Sequence, residues 1–201
     1  MAWYDLFSNF YDRSLEPLYR DARVAAFDAL ALRPGLSVLD APTGTGQSLS
    51  GLAAGVGERG LVVGLDRSRG MLRRAKARVT REGLTQVRLE EADLLTLEGD
   101  SLGTRFDRLH VFLGLSTLSG ADQAFERLWA TLSPGGRCVV VDVHAERLSF
   151  QGRMVNLVAR ADIRRRSWEP LERRATNFSK IELPTQKKVG GTLFLAVGDK
   201  A

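Results

Sequence analysis

Asp40, Asp66 and the glycines between them are the residues of this chain whose types and spacing best suit chemistry. The run Val38-Leu39-Asp40-Ala41-Pro42-Thr43-Gly44-Thr45-Gly46 carries an apolar strand into a glycine turn, and Asp66 closes the next apolar run. In an open α/β sheet such a turn lets the backbone approach a ligand at the carboxyl end of the first strand. An acid ending the second strand accepts hydrogen bonds from ribose hydroxyls. The pair points to a ligand that contains a nucleoside. A dinucleotide fingerprint would need glycine where Leu49 stands, and no Gly-Lys-Ser/Thr follows the turn as a P-loop requires.

Other side chains suit an acceptor or a proton. His144 follows an apolar run, and an imidazole titrates near neutrality, so it is either a general base or a solvated loop histidine. His110, inside a strand, reads as a packed residue. Tyr4, Tyr11 and Tyr19 either line a pocket with their hydroxyls free or simply cover a sheet, and Tyr11 is the selected candidate. Ser116 and Thr117 are polar candidates that also suit a helix cap. Arg164, Arg165 and Trp168 suit recognition of a phosphate or carboxylate.

The elements that must hold these residues follow from periodicity. Residues 3 to 31 read as helical, with Trp3, Tyr4, Phe7, Phe10 and Tyr11 on one stripe, and Arg33-Pro34-Gly35 stops them. Strands are expected at Ser37–Asp40, Leu61–Asp66, Val87–Ala92, Phe106–Leu113 and Arg137–Val143. Their nearly all-apolar character implies burial on both faces, as in parallel sheets. Helices are expected at Gln47–Val56, after Ser68 as an N-cap, at Gln123–Leu132 and at Gln151–Ala161. Asn177–Leu183 and Thr192–Val197 read as an antiparallel pair. The expected fold is therefore a doubly wound, Rossmann-like α/β sheet of seven mostly parallel strands with an antiparallel last strand.

The chain has 201 residues and 44% hydrophobic content, enough for one sizeable core and short for two. It is expected to be a single domain over 1–201, with a helical cap at 1–34 and an acceptor lid or an ordinary packing helix within 145–175. No basic segment precedes an apolar core at the amino terminus, and no apolar run approaches a membrane span, so the cytoplasm is the expected compartment. Cys138 is a lone cysteine in an apolar run and reads as a buried hydrophobe, and no spacing suggests a metal site. Charge is uneven: residues 151–201 carry +6 and residues 1–150 carry −1. The clusters Arg164-Arg165-Arg166, Arg173-Arg174 and Lys187-Lys188 suit either a solvated surface or contact with phosphate, anionic lipid or an acidic substrate. No aromatic stacking pattern accompanies them, so nucleic acid is not an expected partner.

Taken in order, these pieces resemble the class I S-adenosylmethionine-dependent methyltransferases. The resemblance rests on Val38 to Gly46, Gly64-Leu65-Asp66-Arg67-Ser68 with Met71-Leu72 and Ala75, Glu91-Ala92-Asp93-Leu94, Phe106-Asp107 and Leu132-Ser133-Pro134-Gly135-Gly136-Arg137. Tyr4-Asp5 and Tyr11-Asp12 resemble the branch that methylates small molecules, quinones and phospholipids. The resemblance implies S-adenosylmethionine as cofactor. Asp40, Thr43, Gly44 and Gly46 would hold its methionine half, and Asp66 its ribose. Arg67 and Met71 would flank the adenine, Asp93 and Leu94 would meet its amino edge, and Leu113 and Gly114 would lie near the amino group. Where that family usually has glycine, this chain has Pro42, which removes a backbone donor and fixes its own φ.

The expected reaction is methyl transfer to N, O or C of a small organic acceptor. His144 and Tyr11 are the candidate catalytic residues, and Tyr4, Tyr19, Ser116, Arg165 and Trp168 the candidate acceptor contacts. After the fourth strand stands Leu113-Gly114-Leu115-Ser116, without the Asn/Asp-Pro-Pro-aromatic run of nucleic-acid amino methyltransferases. Two other readings stay open. One is a phospholipid N-methyltransferase peripheral at the membrane. The other is a cofactor-binding regulatory protein without catalysis. The oligomeric state is not indicated by any of these features.

Overall fold

The structure, a computed structural model, describes residues 19–99, 101–184 and 190–201. The expectations placed on Trp3, Tyr4, Phe7, Phe10 and Tyr11 lie outside the described residues. In chain order the elements are α1 (Arg20–Leu30), β1 (Ser37–Asp40), α2 (Leu49–Val56), β2 (Leu61–Asp66), α3 (Arg69–Glu82), β3 (Val87–Glu91) and β4 (Phe106–Phe112). A 3-10 turn at Leu115–Thr117 leads to α4 (Ala121–Thr131), β5 (Leu132–His144), α5 (Phe150–Ala159), α6 (Glu169–Arg174), β6 (Thr176–Leu183) and β7 (Thr192–Asp199).

The strands form one seven-stranded sheet in the order β3-β2-β1-β4-β5-β7-β6. β7 alone runs against its neighbours, antiparallel to both β5 and β6, and the remaining pairings are parallel. β1 therefore has β2 on one side and β4 on the other, and the direction of winding reverses between β1 and β4. Open α/β sheets hold ligands at that switch point, outside the carboxyl ends of the strands.

Alternation along the strands sorts the core onto two faces. Leu39, Val63, Leu65, Leu109, Val111, Cys138 and Val140 meet Phe125, Leu128 and Trp129 of α4 and Leu171 of α6. Val38, Val62, Val139, Val141 and Val143 meet Ala26 and Leu30 of α1 and Leu49, Leu52 and Val56 of α2. Helix ends are closed by side chains, near or distant in sequence. Ser68 accepts from the Met71 amide as the expected N-cap of α3, and the guanidinium of Arg108 donates to the Leu30 carbonyl that ends α1.

Several boundaries differ from the sequence reading. The Ser133-Pro134-Gly135-Gly136 turn lies inside β5: pairing with β4 passes from Phe106–Leu132 to Arg108–Arg137, so the turn bulges out of the ladder, with Gly135 at φ 73°. Pairing with β7 is continuous from Arg137 to His144. Helix α6, absent from the sequence reading, packs Pro170 and Leu171 inward. Helix α5 ends at Ala159, where Arg160 turns left-handed at φ 50°.

Candidate active site

The carboxyl ends of β1, β2, β3 and β4 open into a cleft of about 260 Å³. Asp40, Thr43 and Gly44 line one part of it. Asp66, Arg67, Ser68 and Met71 line another, and Ala92, Asp93 and Leu94 a third. Phe112, Leu113, Thr117 and Leu118 form the wall beyond β4, and Val158 and Ala159 at the end of α5 complete the rim. Both acids singled out by the sequence thus face one crevice.

The turn after β1 is held from several directions. The Thr43 amide donates to the Leu65 carbonyl at 2.8 Å, and the Gly46 amide to the Thr43 carbonyl at 3.0 Å. Gly44 and Gly46 have φ of 57° and 79°, values that side chains disfavour. A Cβ on Gly44 would meet nothing within 4 Å, so its surroundings are open to a ligand. A Cβ on Gly46 would come within 2.7 Å of Leu49 and 3.1 Å of the Ala75 methyl. Gly46 does not line the cleft: it lets the turn sit tightly against α2 and α3.

Asp40 is fixed by neighbours within the fold. Its Oδ2 accepts from the Thr43 hydroxyl at 2.6 Å, and its Oδ1 lies 2.7 Å from Nδ1 of the fully buried His110. His110 is packed, as its strand position suggested, with its ring stacked 5.7 Å from Phe112. Asp66 accepts from the Gly44 amide and from the Ser68 amide, each at 2.9 Å. Burial raises the Asp66 carboxyl above its ordinary range, while these two donors and Arg67 act in the opposite direction.

Pro42 lines the cleft and meets Gly114, which follows the neighbouring strand β4. A side chain at 114 would fall into the proline ring, 2.6 Å from its Cγ. Gly114 thus makes room for the proline instead of lining the cleft. Leu113, at φ 53°, turns the chain out of β4 while its amide still donates to the Val141 carbonyl at 2.8 Å.

Other candidate residues lie apart from this cleft. His144 sits in the pleat on the same face as Val140 and Cys138, which directs it to α6. There its ring meets Trp168 edge-on at 4.9 Å, and its Nδ1 lies 3.3 Å from the Arg165 carbonyl. Trp168 is also packed edge-on against Phe194, with the Lys180 ammonium 4.3 Å from its ring. His144, Trp168 and Lys180 border a second cavity. The Ser116 hydroxyl donates to Asp142 at 2.7 Å, and its amide does so at 2.9 Å. Burial raises the Asp142 carboxyl, and those donors hold it down. Arg165 reaches the carbonyls of Leu115 and Leu118, so it ties down the turn that carries the Thr117 wall. Tyr19 packs edge-on against Phe112 at 6.3 Å, behind the cleft wall. Tyr4 and Tyr11 lie outside the described residues. Burial pushes the Cys138 thiol up, consistent with an inert core side chain. Among the described residues no metal-ligating cluster occurs.

Arg23, Thr45, Gln47 and Ser48 are polar lining residues that sequence reasoning missed. The Arg23 guanidinium lies 4.8 Å from the centre of the Phe112 ring and donates to the Gln47 side-chain oxygen at 2.5 Å. Arg23, Ala26 and Leu30 share one helical stripe, so a cation on the apolar face of α1 was the available signal.

Comparison with known proteins adds an independent line. The family described as "Methyltransferase domain" matches residues 32–185. The ubiquinone/menaquinone biosynthesis C-methyltransferase of Methylococcus capsulatus is 32% identical over 151 residues, covering 72% of this chain and 58% of that protein. Its counterpart in Hydrogenovibrio crunogenus is 32% identical over 120 residues, covering 58% of this chain and 46% of that protein. The chain therefore spans about half the length of these relatives. In the solved structures, a SAM-dependent methyltransferase from Aquifex aeolicus superposes with a TM-score of 0.62 at 20% identity, over 93% of this chain and 92% of that one.

Proposed function

The chain belongs to the methyltransferase domain family, and from that premise we propose that its cleft binds S-adenosylmethionine and directs methyl transfer to a small organic acceptor. The observation that carries the reading is the convergence of Asp40, the open Gly44 turn, Asp66 and the Ala92-Asp93-Leu94 step on one crevice at the sheet's switch point.

The lining fits that cofactor part by part. Asp66, locked by the Gly44 and Ser68 amides, presents a carboxylate for ribose hydroxyls. Met71, Ala92 and Leu94 offer apolar surface for a base, with Asp93 beside them. Asp40, held by Thr43 and His110, is the carboxyl group at the end of β1 that would face the cofactor's amino acid half. When bound, the cofactor supplies an electrophilic methyl group on a positively charged sulfur. The protein's part is then to position the acceptor and exclude water while that charge disappears.

Phe112, Leu113, Leu118 and Val158 give the remaining wall an apolar surface, with the Thr117 hydroxyl, Arg23 and Gln47 as polar groups beside it. That wall favours an acceptor with an apolar ring or chain. The relatives named above are by name C-methyltransferases of ubiquinone and menaquinone biosynthesis, and a quinone-like acceptor suits this wall. His144 has no part in the proposal, because Trp168 and the Arg165 carbonyl hold it outside the cleft.

Titration calorimetry with S-adenosylmethionine and S-adenosylhomocysteine tests the reading. Binding of both, weakened about tenfold or more in Asp66→Ala, is expected from loss of hydrogen bonds to a charged group. Failure of the purified chain to bind either compound at millimolar concentration would overturn it.

A further inference from the structure

Helix α5 turns an apolar face toward solvent. Phe150, Met154 and Leu157 follow i, i+4, i+7 spacing, and they are 78%, 44% and 72% exposed. Large apolar side chains grouped this way, instead of scattered singly, mark a surface that meets something. The opposite side of the helix is occupied: Gly152 is buried, and its close approach to Gly190 leaves no space for a Cβ. Val158 and Ala159, at the helix's end, line the cleft.

Charge identifies the partner. Arg147, Arg153 and Arg160 are exposed around the apolar face, and no acidic residue lies between the first and the last of them. Glu146 and Asp162 stand just outside that span, and Asp162 is engaged with Arg164 at 3.8 Å. An apolar stripe with an arginine border is the pattern of a helix that lies in the interface of an anionic bilayer. The apolar side chains enter the acyl boundary there, and the guanidinium groups meet lipid phosphates. A protein partner of acidic character would leave Phe150 and Leu157 unexplained, whereas a bilayer accounts for both the stripe and its border. Among the described residues no helix is long and apolar enough to cross a membrane.

We infer that α5 docks this protein on an anionic lipid surface, placing the mouth of its cleft against the bilayer. Docking in that orientation gives a membrane-dissolved acceptor a path past Val158 and Ala159 without crossing water. This second consequence rests on the methyltransferase reading; the docking itself does not.

Co-sedimentation of the full chain with vesicles tests the inference, using phosphatidylcholine alone and phosphatidylcholine mixed with phosphatidylglycerol. The expected result is binding to the anionic vesicles that weakens with salt, and at least about tenfold weaker partition for Phe150→Glu/Leu157→Glu. Arg153→Glu should weaken binding to anionic vesicles and leave any binding to neutral ones unchanged. Circular dichroism and S-adenosylhomocysteine calorimetry on the same variants separate misfolding, and failure of the cofactor reading, from failure of docking. No binding to anionic vesicles, or equal binding by the double variant, overturns the inference. So does a dimer in solution that the double variant converts to monomer, because the face would then belong to a second copy of the chain.

Discussion

At the scale of single residues, the site depends on buried carboxylates whose donors are all supplied by the fold. Asp66 accepts best from ribose hydroxyls as a carboxylate, because protonation turns one of its oxygens into a donor, yet burial raises its pKa. As pH falls, the group therefore protonates earlier than an ordinary aspartate would, and cofactor affinity should decline above the usual carboxylate range. Calorimetry with S-adenosylhomocysteine from neutral pH downward should show that acid limb in the native chain. In Asp66→Asn, affinity should be about tenfold lower or more at neutral pH and the limb should be absent. A native profile that stays flat to pH 4 would contradict this role. Asp142 illustrates a buried carboxylate outside the cleft. Ser116→Ala removes a hydroxyl donor from it, costing about 1.5–3 kcal/mol of stability when the carboxylate is charged. Its folded pKa lies above the unfolded value, so its contribution to stability is present at low pH and lost as pH rises through the folded value. The Ser116→Ala deficit in urea denaturation should accordingly shrink as pH falls. Asp40 and Asp66 were legible in the sequence because each ends an apolar run. The direction of His144 was not: which way a strand-end side chain faces depends on pleat phase and on what packs there. Only the fold brings Trp168 to that position.

At the scale of elements, the turn after β1 works through steric fit with its neighbours. Proline at position 42 removes a donor, and Gly114 is the response to it. Gly114 has φ −113°, which any residue adopts, so its smallness serves the Pro42 ring and not the backbone. Gly114→Ala should therefore destabilise the protein by about 1–3 kcal/mol, through overpacking alone. It should also weaken S-adenosylhomocysteine binding, since Pro42 and Leu113 both line the cleft. Equal urea midpoints for the variant and the native chain would refute that fit. Strands buried on both faces were readable as apolar runs. Proline and glycine in Ser133-Pro134-Gly135-Gly136 signal a turn, and the chain does turn there, but as a bulge within β5. Helix α6 escaped notice because six residues, four of them charged, give too short a periodic signal. For α5 the helix is legible in the sequence, but periodicity does not show that Met154 and Leu157 face outward.

At the scale of the whole molecule, a single sheet carries two cores, and the cleft lies where segments from both faces end. Its lining comes from α1, from the ends of four strands and from α5, so a ligand there would touch elements belonging to each core. A ligand that binds only the folded chain adds its binding free energy to global stability. At a concentration one hundred times the dissociation constant this amounts to about 2.7 kcal/mol. For a domain of this size each kcal/mol raises the melting temperature by about 2–4 °C, so S-adenosylhomocysteine at that excess should raise it by about 5–10 °C. Asp66→Asn at the same ligand concentration should show a smaller rise, because the lower affinity reduces the ratio of ligand to dissociation constant. Phe150→Glu/Leu157→Glu should keep the full rise, because those side chains lie on the solvent face of α5 and not in the cleft. A ligand that left the melting temperature of all three proteins unchanged would mean that nothing occupies the switch point, however well its residues are arranged.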